Sequence, residues 1–158
     1  RFQLPAQGTR GVDNVMASGQ TIDLPTATTA NFVNLLVASS CGPSPSGATI
    51  QLSMNHVSPS GGELLITDTP ISSVPDWKSG PTTITDPQVT LAATFDHYNQ
   101  GTTQHNDVLS KLYRLKVPVK PGYENMPVKS ITLPSLGTNF TESCTTPGLH
   151  VFAIQTSQ

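Results

Sequence analysis

Charged side chains are scarce in this sequence of 158 residues. Asp, Glu, Lys and Arg make up 11% of it, against about 25% in an ordinary soluble domain. Its 8 basic residues are too few for a nucleic-acid-binding surface, which needs a concentrated patch of Lys and Arg. A helical bundle is excluded as well, because bundles are rich in Glu, Lys, Arg, Leu and Ala. The net charge of -2 argues against disorder, which combines low hydrophobicity with high net charge.

Long apolar runs are also missing. None approaches the roughly 20 residues of a membrane-spanning helix, so no membrane partner is predicted. The chain opens on Arg1 with neither an initiator Met nor a signal peptide. We therefore expect a processed product or an excised module of a larger secreted protein.

Proline and glycine are plentiful, with 14 and 12 copies respectively. Both residues interrupt helices and favour turns, so their abundance predicts many short strands joined by loops. No repeat and no long linker divides the chain, and its length suffices for one hydrophobic core. The sequence thus predicts a single domain over residues 1–158.

Alternation of apolar and polar residues defines the strands. It is clearest over residues 48–56, over 113–119, and over 89–95, where Val89, Leu91, Ala93 and Phe95 are expected to face the core. Two stretches, 35–38 and 151–154, are apolar on both faces and predict central strands. Shorter candidates lie at 21–24, 64–67 and 129–133.

Together these stretches predict an all-β fold, an antiparallel β-sandwich arranged as a jelly roll of about eight strands. A Pro/Ser/Gly loop is expected over residues 55–62. At most one helical turn is expected, over residues 106–111.

The only two cysteines, Cys41 and Cys144, are predicted to form a disulfide. Cys41 follows one predicted central strand and Cys144 precedes the other, so the bridge would join neighbouring strand ends. Asn139-Phe140-Thr141 is an N-glycosylation sequon. Both features favour a secreted protein; the alternatives are buried free thiols and a chance sequon.

Catalytic constellations are not evident. No Gly-x-Ser-x-Gly motif occurs, and the acidic residues form no pair that the sequence can place face to face. The four histidines show no metal-ligand spacing and are interpreted as structural: His56, His97, His105 and His150. The sequence therefore predicts no enzyme, no metal and no cofactor.

A carbohydrate-binding site needs fewer specific residues than a catalytic site. It requires an exposed aromatic ring that stacks on a sugar, and amides or carboxylates that bind the sugar hydroxyls. Trp77 and Tyr98 are the candidate platforms. Asp76, Asp96 and Asn99 are the candidate polar partners. The alternatives are a core position for Trp77 and a solvated loop after Phe95. A calcium ion in that loop would use the same carboxylate oxygens.

Six short stretches, in a fixed order along the chain, carry a family resemblance: DNV at 13–15, GQTI at 19–22, NLLVAS at 34–39, DW at 76–77, ITLP at 131–134 and LHVFAI at 149–154. Together they resemble an accessory β-sandwich appended to secreted glycoside hydrolases. The resemblance implies a galactose-binding-like, carbohydrate-binding-module-like jelly roll with a non-catalytic role. The loop expected at 55–62 departs from the tight Asp-Gly hairpin of that module.

Two functional hypotheses follow. The first is a secreted, non-catalytic module that binds an oligosaccharide or polysaccharide, or assists an attached catalytic domain that hydrolyses glycosides. The second is a structural or docking domain that packs against the rest of its parent protein and has no affinity for glycans.

Overall fold

The computed structural model describes residues 14–58, 61–95, 109–136 and 144–158. Within these ranges the chain forms nine β-strands and no helix. The strands are β1 (Val15–Met16), β2 (Thr21–Thr29), β3 (Phe32–Ser40), β4 (Thr49–Ser58), β5 (Gly61–Pro70), β6 (Val89–Phe95), β7 (Ser110–Pro118), β8 (Pro127–Thr132) and β9 (Gly148–Ser157).

The strands form two antiparallel sheets. The five-stranded sheet has the order β1-β9-β3-β7-β6, and the four-stranded sheet has the order β2-β8-β4-β5. The prediction of an all-β antiparallel sandwich is confirmed, whereas the finer assignment as a jelly roll stays a prediction. In the part of the chain that the structure describes, no helix is long and apolar enough to cross a membrane.

The core lies between the inner faces of the two sheets. Each of the three alternating stretches contributes fully buried side chains, among them Leu52 on β4, Val89 on β6 and Leu115 on β7. Burying each side chain of this size stabilises the fold by about 1.5–3 kcal/mol. Tyr113, which the alternation assigns to the core, has no exposed surface.

The two stretches that are apolar on both faces lie in adjacent strands. β3 is the middle strand of the five-stranded sheet, between β9 and β7. β9 pairs with β3 from Phe32↔Ser157 to Ser40↔Gly148. Because both strands have neighbours on each side, the prediction of central strands at 35–38 and 151–154 is confirmed.

The predicted loop over residues 55–62 is wrong. β4 continues to Ser58 and β5 begins at Gly61, so only residues 59–60 separate the two strands instead of a loop over 55–62. The ten paired positions of β4 and β5 extend the hairpin beyond the apolar alternation. Of the stretch 106–111, where at most one helical turn is expected, Ser110 and Lys111 belong to β7, and residues 106–108 lie outside the described ranges.

The prediction that Phe95 faces the core is also wrong. The pairing of β6 with β7 shifts between Leu91 and Ala93, so the strand carries a β-bulge there. An extra residue in a strand moves the following side chains to the opposite face. Phe95 consequently lies on the outer face, 44% exposed, while Val89 before the bulge is fully buried.

The predicted disulfide is present. Cys41 and Cys144 are bonded, with their Cα atoms 5.1 Å apart and 103 positions apart in sequence. Cys41 follows β3 directly and Cys144 precedes β9, so the bond joins the ends of two paired strands. The sequon at Asn139 lies outside the described residues.

Removal of the disulfide by the double substitution C41A/C144A is expected to lower the free energy of unfolding by about 4–5 kcal/mol, because the bond closes a loop of roughly 100 residues in the unfolded chain. Urea denaturation followed by circular dichroism measures the change. The wild-type protein under reducing conditions is the matched control and should unfold near the midpoint of the double variant. A double variant as stable as the oxidised wild type would contradict the prediction.

Candidate binding pocket on the five-stranded sheet

A short segment, residues 75–77, separates β3 from β7 at one end of the five-stranded sheet. The pairing of the two strands reaches Val37↔Tyr113. Beyond it, Ser39 N donates to Pro75 O (3.2 Å), Trp77 N donates to Ser39 O (2.8 Å), and Lys111 N donates to Trp77 O (2.9 Å). The segment therefore takes the place of direct β3–β7 contact and widens the outer face here.

The carboxylate of Asp76 holds this segment in place. Its Oδ1 accepts hydrogen bonds from Lys78 N (2.9 Å), Ser79 N (2.8 Å) and Ser79 Oγ (3.0 Å), and its Oδ2 accepts one from Gly42 N (3.1 Å). Burial alone would raise the pKa of Asp76, but these hydrogen bonds outweigh it and hold the pKa below its ordinary value of 3.8. Asp76 thus fixes the turn after Trp77 and ties it to the end of β3.

The backbone turns back tightly after this segment, at Gly80. Gly80 N donates to Asp76 O at 2.9 Å. A Cβ atom here would collide with Tyr113 Oη and Asp76 O and would lie 2.8 Å from Pro75 Cβ, so only glycine fits. Tyr113 Oη donates to Pro81 O (3.2 Å). Burial raises the pKa of Tyr113 above its ordinary value, and the negative charge of Asp76 raises it further.

Trp77 forms one wall of a pocket of about 320 Å³ on the outer face. The apolar walls come from five residues on different elements: Ala38, Trp77, Phe95, Leu112 and Phe152. Ala38 lies on β3 and Leu112 on β7, so these walls stand on either side of the Trp77 segment. The pocket therefore combines three aromatic rings with a rigid floor of β-strands.

Four polar residues complete the lining: Ser40, Ser110, Lys111 and His150. The Lys111 side chain is largely buried, and its Nζ donates to Lys78 O (2.8 Å) and Leu109 O (3.4 Å). Among the described residues no carboxylate forms an ion pair with this ammonium group. A positively charged residue therefore belongs to the lining of a pocket whose exposed surface is mostly apolar.

At another part of the wall, His150 lies between two polar side chains. Its Nε2 is 2.9 Å from Ser40 Oγ, and its Nδ1 is 2.9 Å from Asn14 Oδ1. Asn14 directly precedes β1, His150 lies on β9 and Ser40 lies on β3. β9 pairs with both β1 and β3, so the three residues are neighbours in the sheet. The imidazole is thereby held in one orientation by hydrogen bonds to both of its nitrogens.

The predicted site residues divide into three groups. Trp77 is half-buried and lines the pocket. Asp76 is buried beside it, and its carboxylate oxygens accept hydrogen bonds from the protein itself. Asp96, Tyr98 and Asn99 lie outside the described residues, as do His97 and His105.

Several pocket residues are not found by alternation alone. Phe95 is hidden by the bulge in β6. Phe152 lies at a second irregularity, where the pairing of β3 and β9 shifts between Leu36 and Val37. The sequence predicts a structural role for His150, because no residue near it in sequence could act as its partner. Its partners Ser40 and Asn14 are 110 and 136 positions away.

His56 points inward from β4, as its strand position predicts, and is half-buried with no hydrogen bond to Nδ1. Over the described ranges, no group of three His, Cys, Asp or Glu side chains is arranged to hold a metal ion.

Comparison of the chain with known proteins finds no matching family model, no similar curated protein and no similar solved structure. The resemblance to accessory modules of glycoside hydrolases therefore rests on the sequence motifs alone.

Substitution of Asp76 by Asn is expected to lower the free energy of unfolding at pH 7 by about 1–3 kcal/mol, because it removes charge-assisted hydrogen bonds and sets an amide NH₂ against backbone donors. The stabilisation is present above the ordinary pKa of 3.8 and is lost as the pH falls through the lower folded-state pKa. The two proteins should therefore converge in stability in strong acid.

Urea denaturation of both proteins between pH 2 and pH 7 measures this effect. Asp68→Asn is the matched control, since Asp68 is exposed on β5 and accepts one hydrogen bond from Gln51 Nε2. If Asp76→Asn were no more destabilising than Asp68→Asn at pH 7, the positioning role of Asp76 would be refuted.

Proposed function

We propose that the protein is a carbohydrate-binding module and that the outer-face pocket is its binding site. The observation that carries the proposal is the grouping of Trp77, Phe95 and Phe152 around one concave pocket. Apolar side chains of this size are normally buried, and an aromatic cluster that opens to solvent on a rigid sheet is typical of a ligand site.

The chemistry of the lining supports a sugar ligand. A pyranose ring has an apolar face of C–H groups and an edge of hydroxyls. The aromatic walls suit the face, and the polar lining residues Ser40, Ser110 and Lys111 would contact the edge. A volume of about 320 Å³ is at the lower end of the range for ligand pockets and suits one sugar unit, such as a chain terminus or a branch.

The wider setting supports a secreted module. A disulfide persists in oxidising compartments, and the bond between Cys41 and Cys144 is compatible with an extracellular protein. The motif resemblance points to a parent protein that hydrolyses glycosides. In such a protein this domain would hold the substrate close to the catalytic domain, which raises its effective concentration.

One observation favours the second candidate function, a docking domain. Leu64 and Ile66 are 51% and 58% exposed on the outer face of β5, which is an edge strand of the four-stranded sheet. Paired apolar side chains on a sheet edge are typical of a surface covered by another protein part. This surface lies on the sheet opposite to the pocket, so the two functions can be tested separately.

Replacement of Trp77 by Ala is expected to weaken sugar binding about tenfold or more, because aromatic anchors in a pocket contribute more than about 1.4 kcal/mol each. Phe95→Ala should act in the same direction, since Phe95 forms another wall. A glycan array identifies the ligand, and titration calorimetry measures the affinities. Circular dichroism verifies that each variant is folded.

Phe32→Ala is the matched control. Phe32 is an aromatic residue at the opposite end of β3, where the Lys116 ammonium lies 3.6 Å from its ring centre, and it does not line the pocket. Its removal should leave affinity unchanged. Absence of binding to every glycan on the array would contradict the proposal and favour the docking domain. Equal losses in the Phe32 and Trp77 variants would contradict the assignment of the site.

A further inference from the structure

We propose that Ser40, His150 and Asn14 form a nucleophile, a general base and a positioning residue, and that they give the pocket the ability to hydrolyse carboxylic esters. This inference goes beyond binding and does not require the ligand to be a sugar. It predicts a chemical reactivity at Ser40 that is measurable whether or not the pocket binds a glycan.

The strand register brings the three residues together. His150 is directly opposite Ala38, and Ser40 is directly opposite Gly148, so Ser40 and His150 are diagonal neighbours on one face. Diagonal positions on paired strands are close enough for long side chains to meet. On the other side of β9, β1 brings Asn14 to the far nitrogen of the same ring.

The hydrogen bonds fix the tautomer of His150. The Oδ1 atom of Asn14 only accepts hydrogen bonds, so His150 Nδ1, at 2.9 Å, carries the hydrogen and donates. In the neutral ring Nε2 is then an acceptor, and the Ser40 hydroxyl donates to it across 2.9 Å. This is the arrangement in which a histidine removes the proton of a serine that attacks a carbonyl carbon.

Space is left around the nucleophile by Gly148. A Cβ atom at this position would lie 3.3 Å from Ser40 Oγ, 3.4 Å from Met16 Sδ and 3.6 Å from His150 Nε2. A side chain at position 148 would press against both the Ser40 hydroxyl and the His150 imidazole. The proposal requires a bound molecule to approach the Ser40 hydroxyl from the aromatic side, and Ser40 and His150 both line the pocket.

In this proposal, Lys111 supplies the positive charge that stabilises the oxyanion. Attack on an ester turns the carbonyl oxygen into an oxyanion, and a nearby fixed positive charge stabilises it. Lys111 lines the same pocket, and two backbone acceptors hold its ammonium group. Of its three N–H groups, at least one is left for a ligand.

The reaction would proceed in two balanced steps. Ser40 Oγ bonds to the ester carbonyl carbon while its proton passes to His150 Nε2; the C–O bond to the alcohol then breaks, and the alcohol leaves with that proton. Water next attacks the acyl carbon, gives a proton to His150, and displaces Ser40 Oγ, which regains a proton. The products are a carboxylic acid and an alcohol.

The shape of the pocket defines the substrate class. Its three rings and its small volume suit an ester with a short aliphatic or an aromatic group on one side of the carbonyl. An acylated sugar belongs to this class, and so does a simple synthetic ester. The simple esters are therefore adequate probes.

The test uses the full chain and two probes, a fluorophosphonate that modifies activated serines and p-nitrophenyl butyrate. The fluorophosphonate forms an O–P bond to serine and releases fluoride. Peptide mass spectrometry should locate the label on Ser40. Ser40→Ala should abolish the label, and His150→Gln should slow both labelling and ester hydrolysis by at least about a hundredfold, the usual contribution of a general base.

Controls on the four-stranded sheet separate reactivity from general effects. Ser53→Ala and His56→Gln remove the same side-chain types from β4, and both should react like the wild type. Asn14→Asp retains an acceptor for Nδ1–H and should retain the rate, whereas Asn14→Leu should lower it. This rescue by Asp identifies Asn14 as a positioning residue, since a purely structural loss would not depend on an acceptor oxygen.

The proposal would be overturned if the label appeared on other serines to the same extent as on Ser40. It would also be overturned if ester hydrolysis persisted in Ser40→Ala with its melting temperature unchanged. Sugar binding is measured on the same variants by calorimetry. Retained sugar binding without Ser40 reactivity would overturn only the esterase inference, and reactivity without sugar binding would overturn only the proposed carbohydrate function.

Discussion

The candidate site depends on one buried carboxylate. Asp76 accepts hydrogen bonds from the turn that follows Trp77 and from Gly42, just beyond the end of β3. These bonds hold residues 75–77 between β3 and β7, where a continuous sheet would otherwise bring the two strands into contact. The inserted segment places an indole ring on the outer face and opens a space beside it. In this protein the hydrogen bonds to one carboxylate fix a segment of the connection between β5 and β6, and that segment shapes the pocket.

The disulfide and the β-bulges adapt the same sheet to this role. The Cys41–Cys144 bond joins the chain after β3 to the chain before β9, close to where Ser40 and Gly148 are paired. The bulge in β6 moves Phe95 from the core side to the pocket side. Sheet interruptions of this kind often re-aim side chains at functional sites. The sandwich therefore supplies a rigid frame, and its irregularities supply the site.

The sequence predicts the frame well because alternation reports burial directly. Residues such as Ile50, Leu52 and Leu115 repeat with period two, and all are buried in the sandwich. The sequence also predicts Trp77 as a candidate sugar platform. It predicts the disulfide from the presence of only two cysteines and from their positions next to central strands. It does not predict Phe95, because a bulge reverses the phase without any marker residue. Nor does it predict the contact of His150 with Ser40 and Asn14, which depends on the register of three strands far apart in sequence.

Amide hydrogen exchange at Trp77 and Lys111, followed by NMR, tests the central claim most directly. The account has residues 75–77 bonded between β3 and β7, with Trp77 N–H donating to Ser39 O and Lys111 N–H donating to Trp77 O. Both amides should therefore exchange as slowly as those in the body of β3. Rapid exchange at Trp77 and Lys111, with β3 itself still protected, would contradict the claim that this segment forms part of the sheet and shapes the pocket.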